Sequence, residues 1–489
     1  MKHIKLLLII FISFSNIGHS VAQPTYNSII KNYSGINSNQ DLTCEYMNRY
    51  IVSYSHSSIT STQHFFTVQD MQASTPVIKH FSLNIGSEFG NSFTPTITYR
   101  LNDMKVSTNG ICYFCGTRIT EYYSSPFTIE NVGFIGMFSI AKVLNGSDTC
   151  TILHINGTGA LTRIEPRGSY EQVFAVGVSD GYSVDPYNNT PASFLVGLES
   201  NSQNTEWYYD IVMPIHYTEQ FTDVISCGGI IVSSKYMDDN YHIGLRQTKN
   251  GPLRDNYYLG LLSYCNYYDM HTAVNSAGVA VACRKYKDPI LMVTKSGPTT
   301  MAHSCYNVAN GIAAYFLYTV TPGDAQIFKA RYTPSTDYIS LLDLSVRYGS
   351  HVPLFLAKDN TGTQSIISQT NWLSSGSFYP YRDITIDETV SNCRSLESFS
   401  SASTTEYLYI NGINTSDQPM YLAEKFSHIG QFPSCMPSGN LKYFFDLQTP
   451  SFSRILAPLE CLYAHVLIED PIRQAIVSTS ITAYTTCNN

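Results

Sequence analysis

The chain has 489 residues, with 29 Lys and Arg against 37 Asp and Glu and a formal charge of −8 at pH 7. Charged residues make up 13% of it, about half the usual share for a soluble protein, and such an acidic, sparsely charged chain is a poor partner for nucleic acid or anionic lipid. Hydrophobic residues at 43%, with Gly (30) and Pro (21) at ordinary frequency, exclude a wholly disordered or low-complexity chain.

Residues 1–22 read as a signal peptide. Lys2 and Lys5 precede the apolar run Leu6 to Phe14, and Ser20-Val21-Ala22 places small residues where a signal peptidase reads them. The run is about half the ~20 residues that a spanning helix needs, and no second apolar stretch of that length follows. Cleavage after Ala22 is expected to leave 23–489 as the mature chain, with 27 basic and 37 acidic residues and a formal charge of −10. The expected address is periplasmic or secreted, with no membrane anchor after leader removal. All 12 cysteines lie beyond Ala22. Export permits disulfides, but the cysteine density is far below the ~8–10% of a disulfide-built scaffold, so a packed core must hold the fold.

Beyond the leader, short segments rich in Val, Ile, Tyr and Phe recur between Gly, Asn, Asp and Ser, and no convincing helical periodicity interrupts them. The clearest unit begins at Asn102-Asp103-Met104-Lys105-Val106, turns at Thr108-Asn109-Gly110, and continues through Ile111 to Gly116 and then Val132 to Ile140. Asn-Gly between apolar runs predicts a type I′ hairpin, so at least three consecutive antiparallel strands are expected. Similar units follow Asp223, Asp269 and Asp343. With one degenerate copy between Cys150 and Val178, their mean spacing is about 60 residues, a period compatible with propeller blades enlarged by loops. The acidic residue at each start is expected to accept backbone N–H groups in a turn between units.

A small sheet with two apolar faces and two exposed edges cannot bury itself, whereas packing such sheets radially covers the faces. The expected fold is all-β: a single β-propeller of six to eight blades, seven being the expected number, with tandem β-sandwich domains as the alternative. At the end of the chain, Ala475 to Tyr484 is a β-type run expected to share a sheet with strands near Asn48 to Phe66, which would bring Cys487 towards Cys44. The stretch Asn102 to Ile140, with its Asp-Met start, Tyr113-Phe114-Cys115-Gly116 strand and Gly133-to-Gly136 strand, resembles repeats in uncharacterised exported β-propeller-type proteins of Gram-negative gut bacteria. That resemblance implies a secreted propeller and carries over no catalytic residue.

Chemistry-bearing motifs are scarce. Cys112-x-x-Cys115 lies in a strand, where residues three apart face opposite ways, so the two are expected in core packing or each bridged to a different partner, and not in redox chemistry or shared metal binding. No H-E-x-x-H occurs, and Gly177-Val178-Ser179-Asp180-Gly181, which has the G-x-S-x-G form, lacks the helix that should follow a strand-to-helix nucleophile elbow. The local carboxylate pairs Asp238-Asp239, Asp180 with Asp185, and Asp387-Glu388 read as solvated turns. No cofactor or metal is expected. Aromatic clusters are the suggestive feature: Trp207-Tyr208-Tyr209 and the segment containing Tyr379 and Tyr381, together with Trp372, are the candidate ligand-binding residues, since flat apolar faces beside polar groups suit sugar rings or a protein partner. The expected function is an exported, non-enzymatic binding protein that recognises a glycan, peptide or protein through loops on a rigid β-repeat scaffold. The alternative is a polysaccharide hydrolase or lyase with carboxylates drawn from different blades.

Overall fold

The protein is all-β. The computed structural model describes the backbone of strands between residues 28 and 488, and side chains within 42–47, 49–55, 62–70, 79–87, 94–124, 126–146, 149–167, 172–179, 193–200, 206–212, 464–468 and 470–478 and at positions 221, 224 and 232. The leader, Asp269, Trp372, Tyr379, Asp185, Asp238-Asp239 and Asp387-Glu388 lie outside these residues, and Asp180 is described only as backbone of a strand, not of the turn expected for it. Tyr381 is described only as strand backbone.

Strand β1 spans Ser28–Ser34. Four groups of four follow: β2 to β5 (Asn39–Tyr46, Tyr50–His56, Gln63–Asp70, Val77–Asn84); β6 to β9 (Thr96–Val106, Ile111–Tyr122, Thr128–Ser139, Thr149–Ile155); β10 to β13 (Ala160–Pro166, Gln172–Ser183, Pro191–Asn201, Glu206–Pro214); and β14 to β17 (Glu219–Ser226, Ile230–Tyr236, His242–Gln247, Tyr258–Asn266). Helix α1, Ile140–Leu144, caps β8 and is the one helix among the described residues. Next come β18 to β21 (Val279–Arg284, Asp288–Val293, Thr300–Asn307, Ile312–Thr319), β22 (Ile327–Tyr332), β23 to β26 (Ile339–Val346, Pro353–Asp359, Gln364–Gln369, Tyr381–Thr385) and β27 to β29 (Val390–Ser400, Glu406–Asn414, Pro419–Phe426). The chain ends in β30 to β33: Tyr443–Gln448, Pro458–Ile468, Ile472–Thr479 and Thr482–Asn488.

These four C-terminal strands run back through sheets built by earlier segments. One nine-stranded sheet has the order β2-β3-β4-β5-β32-β9-β8-β7-β6, and a second the order β10-β11-β12-β13-β31-β17-β16-β15-β14. The ends of each sheet, β2 with β6 and β10 with β14, pack against one another, so each antiparallel sheet curls nearly to closure like a barrel. Strands β23 to β26 form a consecutive sheet, β22 pairs with β30, and the five-stranded sheet has the order β27-β28-β29-β1-β33. The C-terminal run therefore does enter the sheet that contains β3 and β4, but its direct neighbours are β5 and β9. Cys487 pairs with Ile30 of β1, and Cys44 is buried in β2 opposite Val52; the side chain of Cys487, and with it the expected approach to Cys44, lies outside the described residues.

Cores lie between successive four-stranded groups. Phe66, Phe81, Phe114 and Phe138 fill the layer between β2–β5 and β6–β9. Tyr113, Cys115, Ile135, Leu161, Val196 and Tyr209 fill the next layer. Phe174, Val176, Leu195, Val212 and Phe221 fill the third. Central strands are thus covered on both faces, which explains near-continuous apolar runs where a one-sided sheet would alternate. Cys112 and Cys115 point into different layers, as a spacing of three in a strand requires. Burial first, and the nearby Asp103 carboxylate second, push the Cys115 thiol well above its ordinary value, so it is an inert packing group.

The hairpin at Ser107 to Ile111 differs from the expected type I′ turn. Gly110 donates to the Ser107 carbonyl at 2.9 Å and has φ +79°, whereas Asn109 is not in the left-handed region. A type I turn followed by a left-handed glycine results, and it needs positive φ only at Gly110. The Ser107 hydroxyl accepts from the Ile111 amide at 3.2 Å and also bonds the Asn109 side chain, which holds the loop.

Five strands that begin a group carry a register shift at a corresponding place: between Gln40 and Leu42, Leu101 and Asp103, Leu161 and Arg163, Phe221 and Asp223, and Leu341 and Asp343. Each inserts one extra residue, the geometry of a β-bulge. At the second of them, Asp103 Oδ2 accepts from the Ile164 amide at 2.9 Å and the Asn102 side chain donates to the Leu161 carbonyl at 2.7 Å, tying β6 to β10. Opposite this bulge sits Gly116, where a Cβ would collide with the Arg100 carbonyl. Gly177 occupies the same place against Ala160.

Buried His80 and half-buried His154 give the fold an acid limit. His80 accepts or donates at Thr67 Oγ1 (3.0 Å), and His154 Nε2 meets Tyr99 OH (2.9 Å). Burial lowers both to about 4, aided at His154 by Arg118. Both stay neutral in the folded chain while the unfolded chain takes up protons below about 6.5, so their stabilisation is complete above that pH and is lost as pH falls towards 4. The loss is at most about 3 kcal/mol for His80 and less for His154, which solvent partly screens. Thermal midpoints measured from pH 7 to 4 are expected to fall through this window, and His80→Gln is expected to flatten the fall. An unchanged slope in that variant would reject the assignment.

Candidate functional site

Strand β13 carries the first of the aromatic clusters singled out above, and the pleat divides it. Tyr209 is 3% exposed, donates to the Asn156 carbonyl at 3.0 Å and belongs to the core, with half-buried Trp207 packed on the same layer. Tyr208 points the other way, with Asp210 and Val212. Trp207, Tyr208 and Tyr209 therefore form no common aromatic platform.

On the Tyr208 side a polar group assembles from four strands. Asp210 lies opposite His465 of β31 on one flank and opposite Gly197 of β12 on the other, and Glu199 of β12 lies opposite Tyr208. His465 Nδ1 is 2.6 Å from Asp210 Oδ1, and the His465 ring stacks on Tyr208 with centroids 5.2 Å apart and planes inclined by 6°. Tyr208 OH donates to Glu206 Oε2 at 2.7 Å, and that bond first of all raises the phenol above its ordinary value. Gln172 donates to Glu199 at 3.5 Å and is itself held by Arg167 at 3.3 Å. One ligand atom each from Glu199, Asp210 and His465 lies within 4.8 Å of the others, so this set can hold one cation. Asp210 is 2% exposed, Glu199 half-buried and His465 open to solvent.

A second feature lies at the end of the β7–β8 hairpin. Tyr122, Tyr123, Phe127 and Ile129 are 38–54% exposed within eight residues. The rings of Tyr123 and Phe127 lie 5.7 Å apart at 51°. Polar groups fringe them: Tyr123 OH donates to Glu121 at 2.8 Å, Tyr122 OH to Glu130 at 3.2 Å, and Arg118 pairs with Glu130 at 3.5 Å. Sequence reading passed over this group because Tyr122-Tyr123 reads as the end of a strand. The available signal was four large apolar residues around Ser124, Ser125 and Pro126, at a turn where burial is not possible for all of them.

Among the described residues no helix is long and apolar enough to cross a membrane. No protein-family profile matches the chain, and no curated protein matches it.

Proposed function

We propose that this chain is an exported β-propeller of seven four-stranded blades that binds a glycan through the aromatic end of the β7–β8 hairpin and performs no reaction of its own. Export rests on the leader pattern of Lys2, Lys5, Leu6 to Phe14 and Ser20-Val21-Ala22. The blade reading is supported by the consecutive antiparallel quartets β2–β5, β6–β9, β10–β13, β14–β17 and β23–β26, with β2, β6, β10 and β14 as successive neighbours and β23, β27 and β2 adjacent further round; β18 to β21 form a four-stranded sheet in the order β19-β18-β20-β21, with β18 and β20 parallel. Bulges at 41, 102, 162, 222 and 342 recur at about 60 residues or twice that. Strand β1, from the opposite end of the chain, completes the β27–β29 sheet, as a ring that must join its ends requires. On this reading each nine-stranded sheet is two blades joined at their outer edges by one C-terminal strand. Tandem sandwiches would not need quartets that each contact both neighbours.

The exposure of Tyr122, Tyr123 and Phe127 at one loop carries the functional reading. Exposed rings beside carboxylates and a guanidinium offer both stacking on sugar faces and hydrogen bonds to hydroxyls. A Tyr123→Ala, Phe127→Ala double variant is expected to weaken binding to the best hit of a glycan array at least tenfold, with an unchanged thermal midpoint, because neither ring fills the core. Undiminished binding in that variant would move the ligand site elsewhere.

A further inference from the structure

The Asp210 and His465 pair belongs to a different sheet from the aromatic hairpin and stands apart from the glycan reading. It joins residues 255 apart in sequence. Strand β31 is held beside β13 by backbone ladder bonds and, on one face, by Val466 and Ile468 in the core layer; on the other face three side chains with metal-ligating atoms meet. We propose that Glu199, Asp210 and His465 form a site for a single divalent transition-metal ion of the zinc type, which clamps β31 onto β12 and β13 and keeps its outward positions for water.

Four observations converge on it. The donor atoms are mutually within 4.8 Å, and moving His465 Nδ1 from 2.6 Å of Asp210 to the about 3.3 Å between tetrahedral ligands of one zinc-type ion takes less than about 1 Å. His465 is solvent-open and can supply that movement. Gly197, opposite Asp210, sends no side chain across the carboxylate. The first ligands are oriented from behind as metal ligands are: Tyr208 stacks on the imidazole, and Gln172, braced by Arg167, donates to Glu199. An imidazole in the set selects zinc-type ions over Ca²⁺ and Mg²⁺, which take oxygen ligands. The surrounding negative charge of the chain favours any cation.

The test uses the full mature chain stripped with a chelator and titrated with Zn²⁺, Ca²⁺ and Mg²⁺, with calorimetry and thermal unfolding as readouts. One equivalent of Zn²⁺ is expected to bind and to raise the thermal midpoint, while Ca²⁺ and Mg²⁺ at the same concentration do neither. Glu199→Gln and His465→Gln, both at positions solvent reaches and so expected to fold, should each weaken Zn²⁺ binding at least about tenfold. Co²⁺ in the wild-type chain should give visible bands without the intense thiolate charge-transfer band that cysteine ligation produces. Absence of a bound equivalent, equal binding by Ca²⁺, unaltered affinity in both variants, or a thiolate band would each overturn the site.

Discussion

Replacing Phe66 by alanine is expected to destabilise the protein by about 3–5 kcal/mol, among the largest effects of any single truncation in the described core. Phe66 is 1% exposed and its ring centroid lies 5.3 Å from Tyr54, 5.6 Å from Phe81, 5.4 Å from Phe114 and 5.2 Å from Phe138. Those partners come from four strands of two quartets, so the cavity would open where the first layer is pinned, and large rings held by their own strands cannot collapse into it. The next residue supplies the control. Phe65 points to the opposite face, is half-buried and stacks on His80 at 5.5 Å. Phe65→Ala should cost less than half as much by denaturant unfolding of the two variants side by side. Equal losses would mean that the aromatic layer is not the determinant of stability.

Local pattern made part of this architecture legible. Three antiparallel strands between 102 and 140, the opposed faces of Cys112 and Cys115, and a polar contact made by Asp103 to a neighbouring unit all follow from spacing and residue type over a few positions. The 60-residue rhythm was partly visible through Asp103, Asp223 and Asp343, which each follow a bulge; Asp269 lies outside the described residues. Bulges themselves have no strong residue preference here, as Asp41, Asn102, Thr162, Thr222 and Leu342 occupy them. What recurs is the small residue opposite: Ser55, Gly116, Gly177, Ser234 and Ala357.

The candidate sites were less legible because they are made by tertiary contacts. His465 reads in sequence as an isolated histidine in a strand, and only the insertion of β31 beside β13 brings it to Asp210. Insertion of a strand between two existing edges leaves no local trace, since the same apolar alternation serves for any neighbour. Trp207 and Tyr209 were attractive for their size, yet size also makes them core, and the pleat decides which side each ring takes.

Removing residues from 455 onward is expected to abolish soluble, monomeric protein, and it is the more severe of these two perturbations. The deletion takes away β31, β32 and β33. Strand β31 pairs with β13 from Trp207 to Pro214 and with β17 at Tyr258 to Gly260; β32 pairs with β5 and with β9; β33 pairs with β1. Five strand edges, β5, β9, β13, β17 and β1, would be opened in one step, each an unpaired ladder able to template pairing between chains. Their inner faces remain packed, so the truncated chain should retain β-type circular dichroism while forming oligomers by size-exclusion chromatography, and a synthetic peptide spanning 455–489, added during refolding, should recover monomer. Long-range pairing of this kind closes late, after loops of hundreds of residues have been spanned. The full chain is accordingly expected to show a slow refolding phase that the truncated chain lacks. A truncated chain that stayed monomeric, with an unchanged thermal midpoint, would show that the returning strands cover no edge the fold depends on.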